Sequence, residues 1–558
     1  MLLKSILLVF FVSSVIADIN YPTVTVNGNQ DIRGAYLANG TVESFRGIPF
    51  GQPPIGELSF RRPVAFNGSY AGFNATDFGY DCPAPDILSS NSGLSSAVMQ
   101  YSGYLAPELK LGLAKILISG AKGDDCLNLN VFRPANTTAK DKLPVLVWIY
   151  GGAFIFGGSS SYKGEVYVGE SLQMQMPMIY VSINYRLGPW GFLGGREAAE
   201  DGNTNAGLLD QRLALEWVQD HIGEFGGDPQ RVTIAGESAG AMSCAHQMVM
   251  NDGDHTYKGS PLFSSVIMQS GGVLPVNNVS SSWPQKAFDT VINGVGCDGA
   301  DDKIACLRTK NTTEVTKASS GVSMVDAFLG FSPHPDGDVI SSNTFELFRK
   351  GKFAKVPYIT GNQEDEGTLF TSLFSNYTSE AQVIGLFQSF FPDASADEVA
   401  ALVAYYPENP AAGSPFRTAL LNAQTPQYKR ISAFLCDLLF QSPRRLMLEN
   451  TPSDVPVYSY LSSTGFGTPY LGTFHAVDLV WQYTLDFGPS KVYKRYWISF
   501  AHSGTPNNGT GLPYWPEYRQ AENDRNLLGI NVATLGLVED SFREDGIGLL
   551  KNSTSLQV

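Results

Sequence analysis

The chain has 558 residues, of which 43% are hydrophobic and 12% aromatic, so it can fill a large core, and intrinsic disorder is excluded as its main state. Only 16% of the residues are charged, and 53 acidic residues against 38 basic ones give a formal net charge of −15. Because an acidic surface repels phosphate backbones, we expect no nucleic-acid partner.

The first residues predict a secretory signal peptide. Lys4 supplies a positive charge, residues 6–12 are apolar, and Val15-Ile16-Ala17 is a small-residue cleavage pattern. Residues 1–17 are therefore expected to be removed, with Asp18 starting the mature chain. A membrane anchor is the alternative, but the apolar run is shorter than the about 20 residues that a spanning helix needs. We expect a secreted, extracellular protein without a transmembrane segment.

Acceptor sites for N-linked glycans agree with export. Nine N-x-Ser/Thr sequons in a chain with a signal peptide predict glycosylation at several of them. The acceptor asparagines are Asn39, Asn67, Asn74, Asn136, Asn278, Asn311, Asn376, Asn508 and Asn552.

Short apolar runs alternate with helical patterns along the chain. This alternation predicts an α/β fold with a large, mostly parallel central sheet flanked by helices. No Gly/Ser-rich or charged linker divides the sequence, so residues 18–558 are expected to form one domain. Strands are predicted over residues 144–150, 178–184, 232–235, 264–270 and 356–360, and helices over residues 208–222 and 241–250.

Gly236-Glu-Ser-Ala-Gly240 lies between the predicted strand 232–235 and the predicted helix 241–250. A serine on a tight strand-to-helix turn needs very small neighbours two residues to either side, and Gly236 and Gly240 meet that need. Such a turn would raise the Ser238 hydroxyl to the amino end of a helix, which favours developing negative charge. A bare G-x-S-x-G motif can arise by chance in a glycine-rich chain, but the flanking strand and helix indicate a nucleophile.

Acyl transfer also needs N–H donors for the oxyanion that forms during the reaction. Ala239, directly after the serine, offers one donor. Tyr150-Gly-Gly-Ala-Phe154 follows a predicted strand, and its glycine pair would let bare backbone approach a substrate. Gly152 and Ala153 are the further candidate donors, although an ordinary glycine turn would have the same sequence.

The serine requires a base, and the base requires an orienting acid. In α/β hydrolases the chain order is serine, acid, histidine, which disfavours His221 and His246. His475 lies in a loop-like stretch, but spacing does not firmly exclude His334 or His502. The acid is expected in Gly361-Asn-Gln-Glu-Asp-Glu-Gly-Thr368, just after a predicted strand. Spacing cannot choose among its carboxylates, which are those of Glu364, Asp365 and Glu366.

A resemblance runs through most of the mature chain. The sequence resembles the type-B carboxylesterase/lipase family, the α/β hydrolases that include cholinesterases, and especially its secreted yeast-type lipase branch. The segments that carry the resemblance are Phe45-Arg-Gly-Ile-Pro-Phe50, Asp125-Cys-Leu-Asn-Leu-Asn130, Tyr150 to Phe154, Asn184-Tyr-Arg186, residues 202–208 with Asp210-Gln-Arg212, Phe225-Gly-Gly-Asp-Pro229, the Ser238 turn, Asp365-Glu-Gly-Thr368 and the His475 loop.

The resemblance implies a catalytic triad of Ser238, Glu366 and His475. It makes Glu237 a supporting group beside the nucleophile rather than a triad member. The family's cysteine pairing implies the disulfides Cys82–Cys126 and Cys297–Cys306. The remaining cysteines, Cys244 and Cys436, are expected to be buried and free, although a bond between them is possible.

The loop closed by Cys82 and Cys126 contains an apolar helical pattern over residues 105–118. One interpretation is a helix packed permanently into the core. The yeast-type lipases carry a lid in this loop, and this resemblance favours a lid that gates the site, with rates rising sharply above the substrate's solubility. The side chains expected on one face of this helix are Leu109, Leu113, Ile116 and Leu117.

The function that this resemblance implies is a secreted serine ester hydrolase, most directly a lipase that cleaves medium- or long-chain acylglycerols or related lipid esters. A carboxylesterase acting on short soluble esters is the alternative, and a non-catalytic, cholinesterase-like binding protein is a remote one. The expected partner is a lipid ester at a lipid–water interface. We expect a monomer or weak homodimer, with no cofactor and no metal.

Overall fold

The computed structural model describes residues 21–86, 103, 105–117, 120–374, 377–519 and 524–558. The predicted signal peptide, Asn376 and part of the predicted lid loop lie outside the described residues. Within the described ranges, no helix is both long and apolar enough to cross a membrane.

The strands of the fold, in chain order, are β1 Thr23–Val26, β2 Gln30–Arg33, β3 Ala35–Leu37, β4 Val42–Pro49, β5 Phe73–Asn74, β6 Asn128–Pro134, β7 Leu143–Ile149, β8 Ile179–Ile183, β9 Gly227–Glu237, β10 Thr256–Tyr257, β11 Ser260–Pro261, β12 Ser265–Gln269, β13 Tyr358–Gln363, β14 Val457–Ser462, β15 Asn526–Ile530 and β16 Leu535–Glu539.

One large sheet holds eleven of these strands in the order β16-β15-β14-β13-β12-β9-β7-β8-β6-β4-β3. The strands from β15 to β8 in this order run parallel, and antiparallel strands complete both edges. Strands β7, β8 and β12 are buried along nearly their whole length, because helices cover both faces of a parallel sheet. The predicted mostly parallel α/β sheet is thus confirmed.

Three predicted strands, 144–150, 178–184 and 264–270, agree with β7, β8 and β12 within about one residue at each end. For the other two predicted strands, 232–235 and 356–360, the predicted boundaries were wrong. Strand β9 begins at Gly227 rather than residue 232, because Gly227 pairs with Leu143 across a register shift. Strand β13 begins at Tyr358 rather than residue 356, just after Pro357, whose ring nitrogen cannot donate to a strand ladder.

Helices connect the strands and cover the sheet. The predicted helices 208–222 and 241–250 correspond to α5 and α6 below. In chain order the helices are α1 Pro107–Leu117, α2 Glu165–Gln173, α3 Gly188–Phe192, α4 Arg196–Asp201, α5 Ala206–His221, α6 Ala239–Val249, α7 Ser282–Gly294, α8 Lys303–Arg308, α9 Thr312–Ser319, α10 Met324–Gly330, α11 Thr344–Arg349, α12 Gly367–Thr371, α13 Glu380–Phe390, α14 Ala396–Ala404, α15 Tyr428–Cys436, α16 Ser442–Asn450, α17 Val477–Thr484, α18 Pro489–Ser503 and α19 Glu544–Asn552.

The cysteines are arranged as the resemblance implied. Disulfides join Cys82 to Cys126 and Cys297 to Cys306. Cys244 and Cys436 are free and buried, and burial raises the pKa of both thiols. These two thiols are therefore inert parts of the core rather than reactive groups.

The acceptor asparagines that the structure describes all lie on the surface. A glycan is bulky and hydrated, so it requires this exposure. Glycosylation at these positions stays a prediction. The exposed acceptors are Asn39, Asn67, Asn74, Asn136, Asn278, Asn311, Asn508 and Asn552.

Candidate active site

Ser238 occupies a sharp turn between strand β9 and helix α6. Its backbone angles, φ 57° and ψ −126°, lie in a region that non-glycine residues rarely adopt. The turn is possible because its flanks are glycine. A Cβ atom on Gly240 would lie 2.0 Å from the carbonyl oxygen of Ile149, and one on Gly236 would lie 2.4 Å from the carbonyl carbon of Gly240. The close packing of bare backbone thus holds the serine above the end of the sheet.

Ser238, His475 and Glu366 form a continuous hydrogen-bonded chain. The hydroxyl Oγ of Ser238 lies 2.8 Å from Nε2 of His475, and Nδ1 of His475 lies 2.6 Å from Oε2 of Glu366. The other carboxylate oxygen of Glu366 accepts a 2.7 Å hydrogen bond from the backbone N–H of Gln363. The acid is therefore fixed by its own strand β13, and it in turn orients the imidazole ring.

The three carboxylates of the acid turn have different surroundings. Glu364 forms an ion pair with Arg417. Asp365 is buried, and it accepts hydrogen bonds from the backbone N–H groups of Phe416 and Thr473. Only Glu366 among the three contacts His475. The direction each side chain takes as the strand ends leaves only Glu366 hydrogen-bonded to His475, and its role as the catalytic acid stays a prediction.

The other histidines are engaged elsewhere. The ring of His334 is hydrogen-bonded to the backbone carbonyls of Asn277 and Leu329, and His502 to that of Met176. Neither bonds to Ser238 in the described part of the chain. His221 pairs with Glu224, and His246 with the carbonyl of Met242.

Buried carboxyl groups dominate the electrostatics of the site. Burial raises the pKa of Glu237 well above its usual value. Burial alone would lower the pKa of His475, but the carboxylates of Glu237 and Glu366 outweigh it and raise the pKa to about 9. Oε1 of Glu237 lies 3.3 Å from Nε2 of His475, so the two groups compete for a proton and titrate as a pair.

One further carboxyl group was missed by the sequence analysis. Asp478 is fully buried three residues after His475, and burial raises its pKa to about 6. Its side chain accepts a 2.7 Å hydrogen bond from Gln269 at the end of β12, and Gln269 accepts one from the indole N–H of Trp497. The short spacing from His475 was the one available signal, because both partners are distant in sequence.

The candidate oxyanion donors lie around Ser238. A Cβ atom on Gly151 would be 3.0 Å from the Cβ of Ser238, so the glycine turn after β7 packs directly against this serine. Gly152 has φ 110° and Ala153 has φ 53°, and the described hydrogen bonds use the N–H of neither residue, nor that of Ala239. These three groups are therefore available to a substrate oxygen, although their role as donors stays a prediction.

The triad opens into an apolar cavity with a volume of about 120 Å³. Leu113 and Ile116 of helix α1 form one wall of this cavity. Other parts of the wall come from helical segments outside the sheet, which the sequence analysis had not assigned to the site. These wall residues include Met324, Val325, Phe328, Leu369, Phe370, Phe374, Phe390, Leu435 and Leu439.

The arrangement of helix α1 agrees with the apolar face read from its sequence. Leu113 and Ile116 are buried, Leu109 is half-buried, and Leu111 on the outer side is 59% exposed. Gly112 lies against α17, where an added Cβ atom would be 2.4 Å from Cγ1 of Val480. The side chain of Leu117 and residue 118 lie outside the described residues.

A metal site is not evident in the described ranges, where no group of three or more His, Cys, Asp and Glu side chains could hold a metal ion. The chemistry that the site offers is nucleophilic attack by a hydroxyl, assisted by a histidine that a carboxylate orients.

Comparison with known proteins places the chain in a family. Residues 20–544 match the model of the carboxylesterase family. Lipase 1 of Geotrichum candidum is 46% identical over 547 residues, with 96% of both chains covered. Lipase 4 of Diutina rugosa is 42% identical, covering 96% of both chains. The secreted triacylglycerol lipase LIP1 of Gibberella zeae is 40% identical, over 91% of this chain and 87% of its own.

A solved structure agrees with the sequence relatives. The crystal structure of Aspergillus niger EstA superposes with a TM-score of 0.78 and 25% identity, over 96% of this chain and 99% of that one. Together with the sheet and the serine turn, these matches establish that the chain belongs to the carboxylesterase family of α/β hydrolases and is a carboxylic ester hydrolase.

Proposed function

We propose that the protein is a secreted lipase that hydrolyses lipid esters with Ser238 as nucleophile, His475 as base and Glu366 as the orienting acid. The observation that carries this proposal is the hydrogen-bonded chain Ser238–His475–Glu366, which opens into a cavity with almost wholly apolar walls. The name of lipase shared by the sequence relatives supports the same substrate class.

The first half of the reaction forms an acyl-enzyme. Nε2 of His475 accepts the hydroxyl proton of Ser238 as Oγ attacks the ester carbonyl carbon. The carbonyl oxygen takes up the electron pair and is held by the N–H groups of Gly152, Ala153 and Ala239. When the tetrahedral intermediate collapses, the bond to the alcohol oxygen breaks, and the imidazolium returns its proton to the leaving alcohol.

The second half restores the enzyme. A water molecule gives a proton to His475 as its oxygen attacks the acyl carbon. The same N–H groups hold the second oxyanion, and the bond to Oγ of Ser238 breaks as His475 returns the proton to the serine. Glu366 stabilises the imidazolium in both halves without accepting its proton.

The proposed substrate class follows from the cavity. Its walls of Phe, Leu and Met side chains bury an acyl chain without unpaired polar groups, so a medium- or long-chain acyl group gains from binding there. A soluble short-chain ester gains little binding free energy from the same walls. A carboxylesterase acting on short esters is therefore the second candidate, after the lipase.

We also propose that α1 is a lid. Leu113 and Ile116 are cavity walls on an element that also has a solvent side, so displacing α1 would open the cavity and expose an apolar face. A lipid surface would accept that face, whereas water would not. With the sequons and the signal-peptide pattern, these features support an extracellular enzyme that works at lipid–water interfaces.

Initial rates on p-nitrophenyl esters of increasing chain length and on emulsified triolein test the proposal. We expect the highest activity on the longer esters and on triolein, with specific rates on tributyrin rising once it exceeds its solubility. Activity confined to the shortest esters would make the protein a carboxylesterase, and equal rates below and above solubility would contradict the lid. A loss of nearly all activity in Ser238→Ala would show that the hydrolysis comes from this protein and depends on Ser238.

The pH profile tests the role of His475. We expect kcat/KM to rise with pH and to level off above the pKa of His475, about 9, because a protonated His475 cannot accept the serine proton and a neutral one can. We call this rising part of the profile the limb. Glu237→Gln removes one of the two carboxylates that raise the pKa of His475, so the limb should move to lower pH.

The measurement is kcat/KM by pH-stat titration on a soluble ester. The control is Glu224→Gln, which removes a carboxylate from beside a different histidine, His221, and should leave the limb in place. A limb that does not move in Glu237→Gln would show that Glu237 carries no charge felt by His475.

A further inference from the structure

Two leucines at the tip of a surface loop are exposed to an unusual degree. Leu420 is 71% exposed and Leu421 is 72% exposed, and the preceding Ala419 is exposed as well. The tip is therefore three apolar side chains long. We call residues 417–422 the leucine loop. Single exposed leucines are common on protein surfaces, but a protruding apolar tip indicates something that covers it.

A buried lysine stabilises the leucine loop by hydrogen bonds to its residues. Lys429, the second residue of α15, is 1% exposed. Its ammonium donates to Oγ1 of Thr418 at 2.7 Å and to the backbone carbonyls of Ala419 and Leu421 at 2.9 and 3.3 Å. The backbone N–H of Leu421 in turn donates to the carbonyl of Thr418. Hydrogen bonding inside the loop thus satisfies polar groups that would otherwise resist removal from water.

The loop's backbone is held in a conformation that its sequence does not favour. Arg417, Ala419 and Asn422 all have φ between 48° and 65°. Side-chain contacts support both ends: the guanidinium of Arg417 pairs with Glu364 and lies over the ring of Phe466, and Oδ1 of Asn422 accepts from the backbone N–H of Tyr470. Backbone strain costs free energy, so a strained loop that keeps two leucines in water indicates that their exposure serves a function.

The leucine loop stands on the same end of the sheet as the active site. Glu364 follows β13, and Phe466 and Tyr470 lie between β14 and His475, whereas Ser238 follows β9. Carboxyl ends of parallel strands meet at one edge of a sheet. Asp365 joins the two regions directly, since it accepts hydrogen bonds from Phe416 beside the leucine loop and from Thr473 beside His475.

The charges of the leucine loop and of the whole chain indicate which kind of surface the two leucines contact. Residues 414–427 contain one charged side chain, Arg417, and it is paired with Glu364. The chain as a whole carries −15, so anionic surfaces repel it. An uncharged, fluid, apolar surface suits both the tip and the net charge, because it needs neither a complementary groove nor a complementary charge.

We propose that the leucine loop is a lipid anchor, separate from helix α1, that inserts Leu420 and Leu421 into the surface of the neutral lipid phase that carries the substrate. This inference rests on the proposed lipase function for its occupant. It adds a fixed contact on the rim of the site, which orients the cavity toward the lipid whether the lid is closed or open.

Binding without turnover tests the anchor. Full-length Ser238→Ala protein is mixed with triolein emulsion, and the bound fraction is measured by flotation at increasing lipid concentration. Adding Leu420→Ser and Leu421→Ser should weaken binding about ten-fold or more, because two leucine side chains lose their transfer from water. Raising NaCl from about 0.05 to about 0.5 M should not weaken it, since apolar insertion is not screened.

A matched control separates the tip from exposed leucine in general. Leu172 is 37% exposed on α2, which precedes the amino end of β8 in the chain, whereas the active site follows the carboxyl ends of β9 and β13. Leu172→Ser should change emulsion binding by less than about two-fold. Restoring Ser238 in the double-serine variant should leave hydrolysis of a soluble short-chain ester intact, which shows that the variant folds and keeps an active site.

The outcomes are distinct. Unchanged emulsion binding in the double-serine variant would overturn the anchor, as would a dimer that this variant converts to a monomer while emulsion binding persists, since the tip would then contact a second copy. Weakened binding together with intact soluble-ester hydrolysis supports the anchor. Failure of the proposed lipase function would appear separately, as a lack of triolein hydrolysis by the wild-type enzyme.

Discussion

Ser238→Ala is expected to lower kcat for ester hydrolysis by about 10⁶-fold, because the variant loses the atom that attacks the carbonyl. Its KM should change little, since the apolar cavity walls that bind the acyl group remain. A residual rate about 10³–10⁴-fold above that in water should survive, because backbone N–H donors still stabilise an oxyanion when water attacks directly. Pre-steady-state kinetics with excess p-nitrophenyl ester measure this, since the initial burst of p-nitrophenol that accompanies acyl-enzyme formation should vanish.

Ser270→Ala is the matched control for this substitution. Ser270 is a fully buried serine at the end of the neighbouring strand β12, and its hydroxyl lacks a hydrogen-bond partner among the described residues. Its removal should leave kcat within about two-fold. A Ser238→Ala enzyme that keeps a burst would mean that another hydroxyl is the nucleophile.

Glu366→Gln should lower kcat by about 10⁴-fold. The amide is nearly the same size as the carboxylate, so the fold should persist. It cannot stabilise an imidazolium, however, and its NH₂ group can donate to Nδ1 of His475 and hold the tautomer whose Nε2 carries a hydrogen. In that tautomer Nε2 cannot accept the proton of Ser238. Steady-state kcat and KM on one soluble ester are the measurement, and kcat should carry nearly the whole loss.

Glu364→Gln separates the two neighbouring carboxylates. Glu364 pairs with the exposed guanidinium of Arg417 and does not reach His475, and such surface pairs contribute about 0–1 kcal/mol. We expect kcat to stay within about two-fold. Equal losses in Glu364→Gln and Glu366→Gln would indicate damage to the turn rather than to a catalytic acid.

Much of the fold was predictable because it depends on local signals. Apolar runs of four to seven residues marked the central strands, and glycines at positions 236 and 240 marked the serine turn, since no other residue fits there. Strand ends were less predictable. Strand β13 begins later than predicted because of Pro357, and strand β9 begins earlier because Gly227 pairs with Leu143.

The site was predictable only in part, because its geometry depends on distant segments. Spacing narrowed the acid to three adjacent carboxylates, and the backbone at the end of β13 decides which one faces His475. No local pattern could have found the contact between Asp478 and Gln269, which are 209 positions apart. The cavity walls were equally hidden, because a helix shows in sequence that it has an apolar face but not what that face covers.

The division between the serine turn and the cavity walls has an evolutionary consequence. At Gly151, Gly236 and Gly240 a new Cβ atom would lie within 2.5 Å of a backbone atom. These positions therefore tolerate almost no amino-acid substitution. The walls formed by residues such as Met324, Phe328 and Leu435 belong to helices that supply none of the reacting atoms. Descendants of this chain can therefore diversify the acyl groups they accept by changing the helices alone, while the chemistry on the sheet is inherited unchanged.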